Sequence, residues 1–200
     1  MYTLYEFATS GNCYKLRLTM SLLGISYSRK QIDITKGESR TPEFLRINPN
    51  GRVPVLETPD HRYLPESNAA LWYLAMGSKL MPDDKFEQAQ AMQWMCFEQY
   101  SHEPFIATSR YWMHVLNQAD EYQAQLMEKR PKGYEALGVM EKHLSQHNFF
   151  VGNQLSVADI ALYAYTHVAH EGGFDLSAYS AIKKWFERIE QTNHYLSIDQ

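Results

Sequence analysis

The sequence predicts a small α/β domain ordered βαβ-α-ββα over residues 1–76, then an all-helical domain over 85–200, joined by a linker at 77–84. Three observations carry this reading. Strand-like and helix-like segments alternate through residues 1–76; Gly77 to Asp84 gathers Gly, Pro and two adjacent Asp; from Phe86 onward only helical signals appear.

Taken in order, Thr3-Leu4-Tyr5-Glu6-Phe7 is short and bounded by the turn-like Ser10-Gly11-Asn12, which reads as a strand. Leu16, Met20 and Leu23 recur at helical spacing after Tyr14, and Gly24 supplies the stop. Ile25 to Ile34 reads as the second strand. Thr41-Pro42-Glu43 joins an N-cap residue, a proline at N1 and an early acid, and so opens a short helix. Asn48-Pro49-Asn50-Gly51 is a turn, and Val53-Pro54-Val55-Leu56 is a strand-like run containing a proline. Pro59-Asp60-His61 reads as a hairpin turn and Glu66 to Ala75 as a helix, which places parallel strands and an antiparallel pair in one small sheet. In the second part, breaks are expected near His102-Glu103-Pro104, Arg130-Pro131-Lys132-Gly133 and Gly172-Gly173. Ser156-Val157-Ala158-Asp159 is a capping box, with Leu155 and Ile160 as its hydrophobic staple. The nearly all-apolar run from Val157 to about Ala169 is the expected central buried helix.

Composition narrows the function. Hydrophobic content of 44% and charged content of 21% suit a folded globular protein. A net charge of −4 gives no reason to expect nucleic acid or an anionic membrane as partner. No apolar run approaches the roughly 20 residues that span a bilayer. The start, Met1-Tyr2-Thr3-Leu4-Tyr5-Glu6, lacks the basic region of a signal peptide, and a cytoplasmic location is expected. Cys13 and Cys96 are the two cysteines, too few for a disulfide framework, and no ligand spacing links the eight histidines, so no metal is expected.

Three places invite chemistry. A cis peptide at Val53-Pro54 would turn the N–H and C=O of Val53 outward for an extended peptide; an ordinary trans proline on an edge strand is the plain alternative. Glu66-Ser67 opens a helix, where unpaired N–H groups and the Ser67 hydroxyl suit a carboxylate while Glu66 suits an ammonium; a simple cap is the alternative. Ser10-Gly11-Asn12-Cys13 lies between strand and helix, where donors stabilise an anion such as a thiolate. There Cys13 is either a nucleophile or a small residue packed in the first turn. Tyr100, His102 and Arg110, with Trp112, cluster on the first long helices of the second part and are weak candidates for bordering a substrate pocket.

Together, Ser10-Gly11-Asn12-Cys13-Tyr14-Lys15-Leu16-Arg17, Asn48 through Leu56, Glu66-Ser67-Asn68-Ala69-Ala70 and Leu155 through Ile160 resemble the cytosolic glutathione transferase family in order and spacing, over the whole chain. The resemblance implies a thioredoxin-like N-terminal fold with cis-Pro54, a homodimer, and glutathione as co-substrate. It implies that Val53 pairs with the glutathione backbone while Glu66 and Ser67 hold its γ-glutamyl end. Arg52, with Ser39 and Arg40 of the preceding loop, would sit near the peptide's other end. No tyrosine stands where tyrosine-type members use one, since Tyr5 lies inside the first strand and Tyr14 within the helix. Ser10 is placed as in serine-type members, and Ser10-Gly11-Asn12 is similar to the Thr/Ser-x-Asn motif of a group with disulfide-reductase activity. Ser10 and Asn12 are therefore the expected catalytic pair, with Cys13 third. The activity implied is conjugation of glutathione to small hydrophobic electrophiles. Glutathione-dependent disulfide reduction and a non-catalytic binding or interaction protein are the alternatives.

Overall fold

The computed structural model describes residues 1–200, which divide into two compact units: Met1–Ser78 with Thr192–Gln200, and Lys79–Gln191. In the first unit, β1 (Tyr2–Glu6), β2 (Tyr27–Gln31), β3 (Val55–Glu57) and β4 (Tyr63–Pro65) form one sheet in the order β2-β1-β3-β4. β1 runs parallel to β2 and antiparallel to β3, and β4 closes the antiparallel edge. The helices α1 (Gly11–Leu22), α2 (Pro42–Ile47) and α3 (Ser67–Ala75) complete the βαβ-α-ββα order.

Period-two alternation sends adjacent side chains to opposite sides of this sheet. Leu4 and Leu56, paired across β1 and β3, join Leu16 and Met20 of α1 and Ala70 and Leu74 of α3 in one core cluster. Their neighbours Tyr5 and Val55 face the other way, with Ile32 and Phe44, the latter from α2. Thr41 caps α2 as its residue type suggests, its hydroxyl accepting from the Phe44 N–H at 3.3 Å.

The sequence reading ran the helical part through residue 200, but Thr192–Gln200 packs with the first unit. The reason is a row of donors. Tyr14 Oη donates to the Leu196 carbonyl (2.6 Å), Arg17 Nη2 to Ile198 (2.7 Å), Ser21 Oγ to His194 (2.7 Å) and Arg29 Nη1 to Gln200 (2.6 Å). Tyr14, Arg17 and Ser21 lie along one stripe of α1, so irregular chain finds partners there for its carbonyls.

The second unit is helical: α4 (Lys85–Phe97), α5 (Glu103–Arg110), α6 (Gln123–Leu144), α7 (Val157–Thr166) and α8 (Ser180–Glu190). Two of the expected breaks take another form. At 102–104 the chain stays helical, passing from α4 through a π-helical turn, Glu98–His102, into α5, which a second π turn, Tyr111–Val115, follows. Pro104 fits because the first turn of α5 needs no N–H from it. At 130–133 there is no break: α6 runs through Pro131. Contacts on both sides hold it. Lys129 Nζ donates to the Pro104 carbonyl at 2.9 Å and Arg130 to that of Gly173. Gly133 is a place of close approach, since a Cβ there would overlap the Phe174 ring.

Two carboxylates organise this unit. Asp159, fully buried in the capping box of α7, accepts from Ser156 N (2.9 Å), Ser156 Oγ (2.8 Å), Phe150 N (3.0 Å) and Trp185 Nε1 (2.9 Å). Burial pushes its carboxyl up to about 6, and those donors pull the other way. Glu141 of α6 accepts from Ala181 N and Ile182 N, both at 2.9 Å, so a neighbouring helix caps the start of α8. No helix in the chain is long and apolar enough to cross a membrane.

Asp159→Ala strands donors from the Phe150 loop, the α7 cap and buried Trp185 together. We expect it to lower the unfolding free energy by about 3 kcal/mol or more, measured by denaturant titration. A loss near ~1 kcal/mol, the size of a lone N-cap, would confine its role to α7.

Candidate functional site

The site grows from two helix starts. Ser10, the N-cap of α1, accepts from Cys13 N through its Oγ at 3.3 Å, which leaves its hydroxyl proton to donate. Two residues on, Asn12 Oδ1 accepts from Ser67 Oγ at 3.1 Å, tying the first turn of α1 to the first residue of α3. Lys15, fully buried, donates through Nζ to Ser67 Oγ (3.4 Å) and Asn68 Oδ1 (3.0 Å). The first N–H groups of a helix have no partner within it, so both starts present donors and positive potential where Asn12 and Ser67 meet.

Cys13 differs from its neighbours. Its sulfur is buried against the end of β1, where the Phe7 N–H donates to it at 3.4 Å. Burial pushes the thiol up to about 12, outweighing the hydrogen bonds from Ser10 and Phe7 that stabilise the thiolate. Nor do the two nearby tyrosines reach the helix start. Tyr5 Oη donates to Glu57 Oε2 at 3.0 Å; burial first, then Glu57, raises its pKa well above the usual range. Tyr14 Oη is taken by the Leu196 carbonyl.

The Val53-Pro54 peptide is cis, and the ladder of β3 begins only at Val55, so the main chain of Val53 stands outside it. Val55 pairs with Pro65, which sets this segment beside Glu66. Exposed Glu66 has φ +70° and ψ 111°, a backbone costing on the order of 1–3 kcal/mol for a residue with a Cβ. The bend starts α3 directly after Pro65, the partner of the first residue of β3.

The preceding turn is built by Asn48. Its Nδ2 donates to the Arg52 carbonyl (2.7 Å) and its Oδ1 accepts from Asn50 N (3.1 Å). Arg40 Nη1 donates to the Asn50 carbonyl at 2.9 Å, and its guanidinium lies over Gly51, whose φ of +62° and close contact exclude a side chain. Buried Ser39 touches the same turn through its carbonyl, and exposed Arg52 follows it. Thus Asn12 and Ser67 come together, Ser10 caps the helix that carries Asn12, Val53 and Pro54 lie beside Glu66, and Ser39 and Arg40 meet the turn before Arg52.

The candidates in the second unit lie in unlike environments. Tyr100 is 85% exposed; His102 is fully buried, its Nε2 paired with Thr166 Oγ1 at 2.9 Å. Arg110 is 4% exposed and bound to Glu171 at 2.5 Å. Nowhere do three His, Cys, Asp or Glu side chains come together as a metal site. Sequence reading gave no role to Lys15 or Asn68. Neither carried a signal, since a lysine or asparagine on a helix reads as solvated, and Lys15 is set apart only by its burial.

Residues 9–76 match the family model of the glutathione S-transferase N-terminal domain, and residues 81–193 that of the C-terminal domain. The crystal structure of a possible glutathione S-transferase from Rhodopseudomonas palustris has 48% sequence identity and a TM-score of 0.97, over 100% of this chain and 98% of that one. The disulfide-bond oxidoreductase YfcG of Escherichia coli (strain K12) is 29% identical over 92% of this chain and 87% of its own length. The transcriptional regulator URE2 of Saccharomyces cerevisiae is 27% identical over 94% of this chain, which spans only 64% of that protein. Ure2p has also been solved in complex with glutathione, with a TM-score of 0.84 at 24% identity over 96% of this chain and 90% of that one. The chain belongs to the glutathione S-transferase family.

Proposed function

We propose that the protein binds glutathione on its first unit, activates the thiol and conjugates it to small hydrophobic electrophiles. The observation that carries this reading is the Asn12–Ser67 hydrogen bond, which joins two helix starts beside the cis-Pro54 segment. Three recognitions are then within reach of one extended peptide. The outward main chain of Val53 pairs with its backbone. The Ser67 N–H, in the first turn of α3, meets the γ-glutamyl carboxylate while Glu66 takes the ammonium. Arg52, with Ser39 and Arg40, serves the glycine end. Ser10 and Asn12 donate to the thiolate, which lies at a helix start where negative charge is favoured. Lowering a thiol by one or two units needs about 1.4 kcal/mol per unit, the scale of one hydrogen bond to an anion together with a helix terminus. Catalysis consists of thiolate stabilisation and positioning of the electrophile. A homodimer and a cytoplasmic location go with this reading as properties of the family.

A second reading, glutathione-dependent disulfide reduction, is favoured by the likeness to YfcG and by the Ser-x-Asn arrangement. In it the same thiolate attacks sulfur. Turnover of an aryl halide against that of a mixed disulfide separates the two readings. Loss of catalysis with retained binding, the interaction-protein alternative, is tested by the same assays.

Calorimetric titration with reduced glutathione, paired with ultraviolet difference spectra for thiolate, tests the reading directly. We expect Glu66→Ala to weaken glutathione binding by on the order of 1–3 kcal/mol, as when a charged partner loses its counterpart. Unchanged affinity would remove the amino-acid site from Glu66. Thiol labelling of the native protein should modify exposed Cys96 quickly and buried Cys13 only after denaturation. Cys13→Ala should keep most turnover, while Ser10→Ala and Asn12→Ala each lose more; inactivation by Cys13→Ala alone would shift the chemistry to the cysteine.

A further inference from the structure

Lys15 stands one turn below Asn12 on α1, fully buried, in a helix whose buried polar side chains also include Arg17 and Thr19. Its Nζ reaches Ser67 Oγ at 3.4 Å and Asn68 Oδ1 at 3.0 Å, and Ser67 Oγ in turn donates to Asn12 Oδ1 at 3.1 Å. The donor inventory gives this chain a direction. A lysine ammonium donates only, a hydroxyl donates one proton and accepts elsewhere, and an amide has one end of each kind. Because Lys15 donates to Ser67, the serine proton goes onward, and the atom that Asn12 turns toward Ser67 is its oxygen.

We propose that Lys15 is a positioning residue for thiol activation: through Ser67 it fixes the orientation of the Asn12 side-chain amide, so that the amide presents its N–H end to the glutathione sulfur. The proposal rests on the thiol-activating reading above. Without the ammonium, Ser67 is equally able to accept from Asn12 as to donate to it. The amide then turns over and offers the sulfur an oxygen, which repels a thiolate. Two local features support the relay. Asn68 supplies a second acceptor that fixes Nζ, so the ammonium is held from two sides by groups in the first turn of α3. Ser67 is only 5% exposed, so water competes little for its hydroxyl. The relay also divides the labour of Ser67. Its hydroxyl serves Asn12, and its main-chain N–H remains for the ligand carboxylate.

The test compares the parent, Lys15→Met, Ser67→Ala and the double variant. Each is titrated with reduced glutathione by calorimetry, and the bound thiolate is read by ultraviolet difference at pH 7. The parent should bind and show thiolate; a parent that does neither overturns the functional reading and the relay with it. Given a competent parent, Lys15→Met should keep glutathione affinity within about twofold while bound thiolate falls about tenfold, the scale of one hydrogen bond to an anion. In the Ser67→Ala background, Lys15→Met should lower thiolate no further, a non-additivity that a merely structural lysine would not produce. Equal thiolate in the parent and Lys15→Met, or additive losses in the double variant, overturns the relay and leaves the functional reading standing. Where Lys15→Met does not fold, Ser67→Ala decides by the thiolate read at saturating glutathione, whatever its affinity: a loss of thiolate per bound glutathione supports the relay, and unchanged thiolate refutes it.

Discussion

The first unit depends on one buried carboxylate. Glu6, at the end of β1, is fully buried and faces Arg17 Nη1 of α1 at 3.3 Å, while Arg29 and Gln31 of β2 donate to its other oxygen. It thus holds the first helix and the second strand to the end of the first strand. A buried ion pair is poor evidence for net stability, but removing one partner leaves a charge in low dielectric at a cost of about 3–5 kcal/mol. What the carboxylate secures is placement. Arg17 also donates to the Ile198 carbonyl, so the same side chain fixes α1 on one side and the final segment on the other. With the axis of α1 set, its first turn comes to rest against the first turn of α3.

The second unit solves a similar problem chiefly with carboxylates that accept hydrogen bonds. Asp159 and Glu141 each collect main-chain N–H groups that would otherwise be buried without partners, at the starts of α7 and α8. Long-range order comes from carboxylates that accept hydrogen bonds, with aromatic packing around Trp185 and Phe150 filling the space between. In both units acids perform what residue-by-residue propensity cannot, namely fixing one element against another far away in sequence.

How much could be read beforehand follows the same division. The strands, α1, the Thr41 cap and the capping box of α7 were legible, because alternation, helical period and cap residues are local signals. Pro131 misled because its cost is local while the contacts that outweigh it, at Pro104 and Gly173, are remote. The π turns escaped because they carry no residue signature, and they changed the phase of the helix. Tyr100 and His102, two residues apart, end in opposite environments, one exposed and one buried. At the helix starts, Ser10, Asn12, Glu66 and Ser67 announced themselves by position. Lys15 did not, since a lysine on a helix reads as a solvated one until its burial is known. The final segment was hidden for a simpler reason: it is recognised through its carbonyls, which every residue has.

That segment makes the order of synthesis matter. The acceptors for Tyr14, Arg17, Ser21 and Arg29 are made only after the whole helical unit between them. A nascent chain that has released residues 1–78 therefore holds an α1 with its outer stripe of donors still waiting, and that stripe is met only once residues 192–200 have followed. The first unit is completed only after the second has been made.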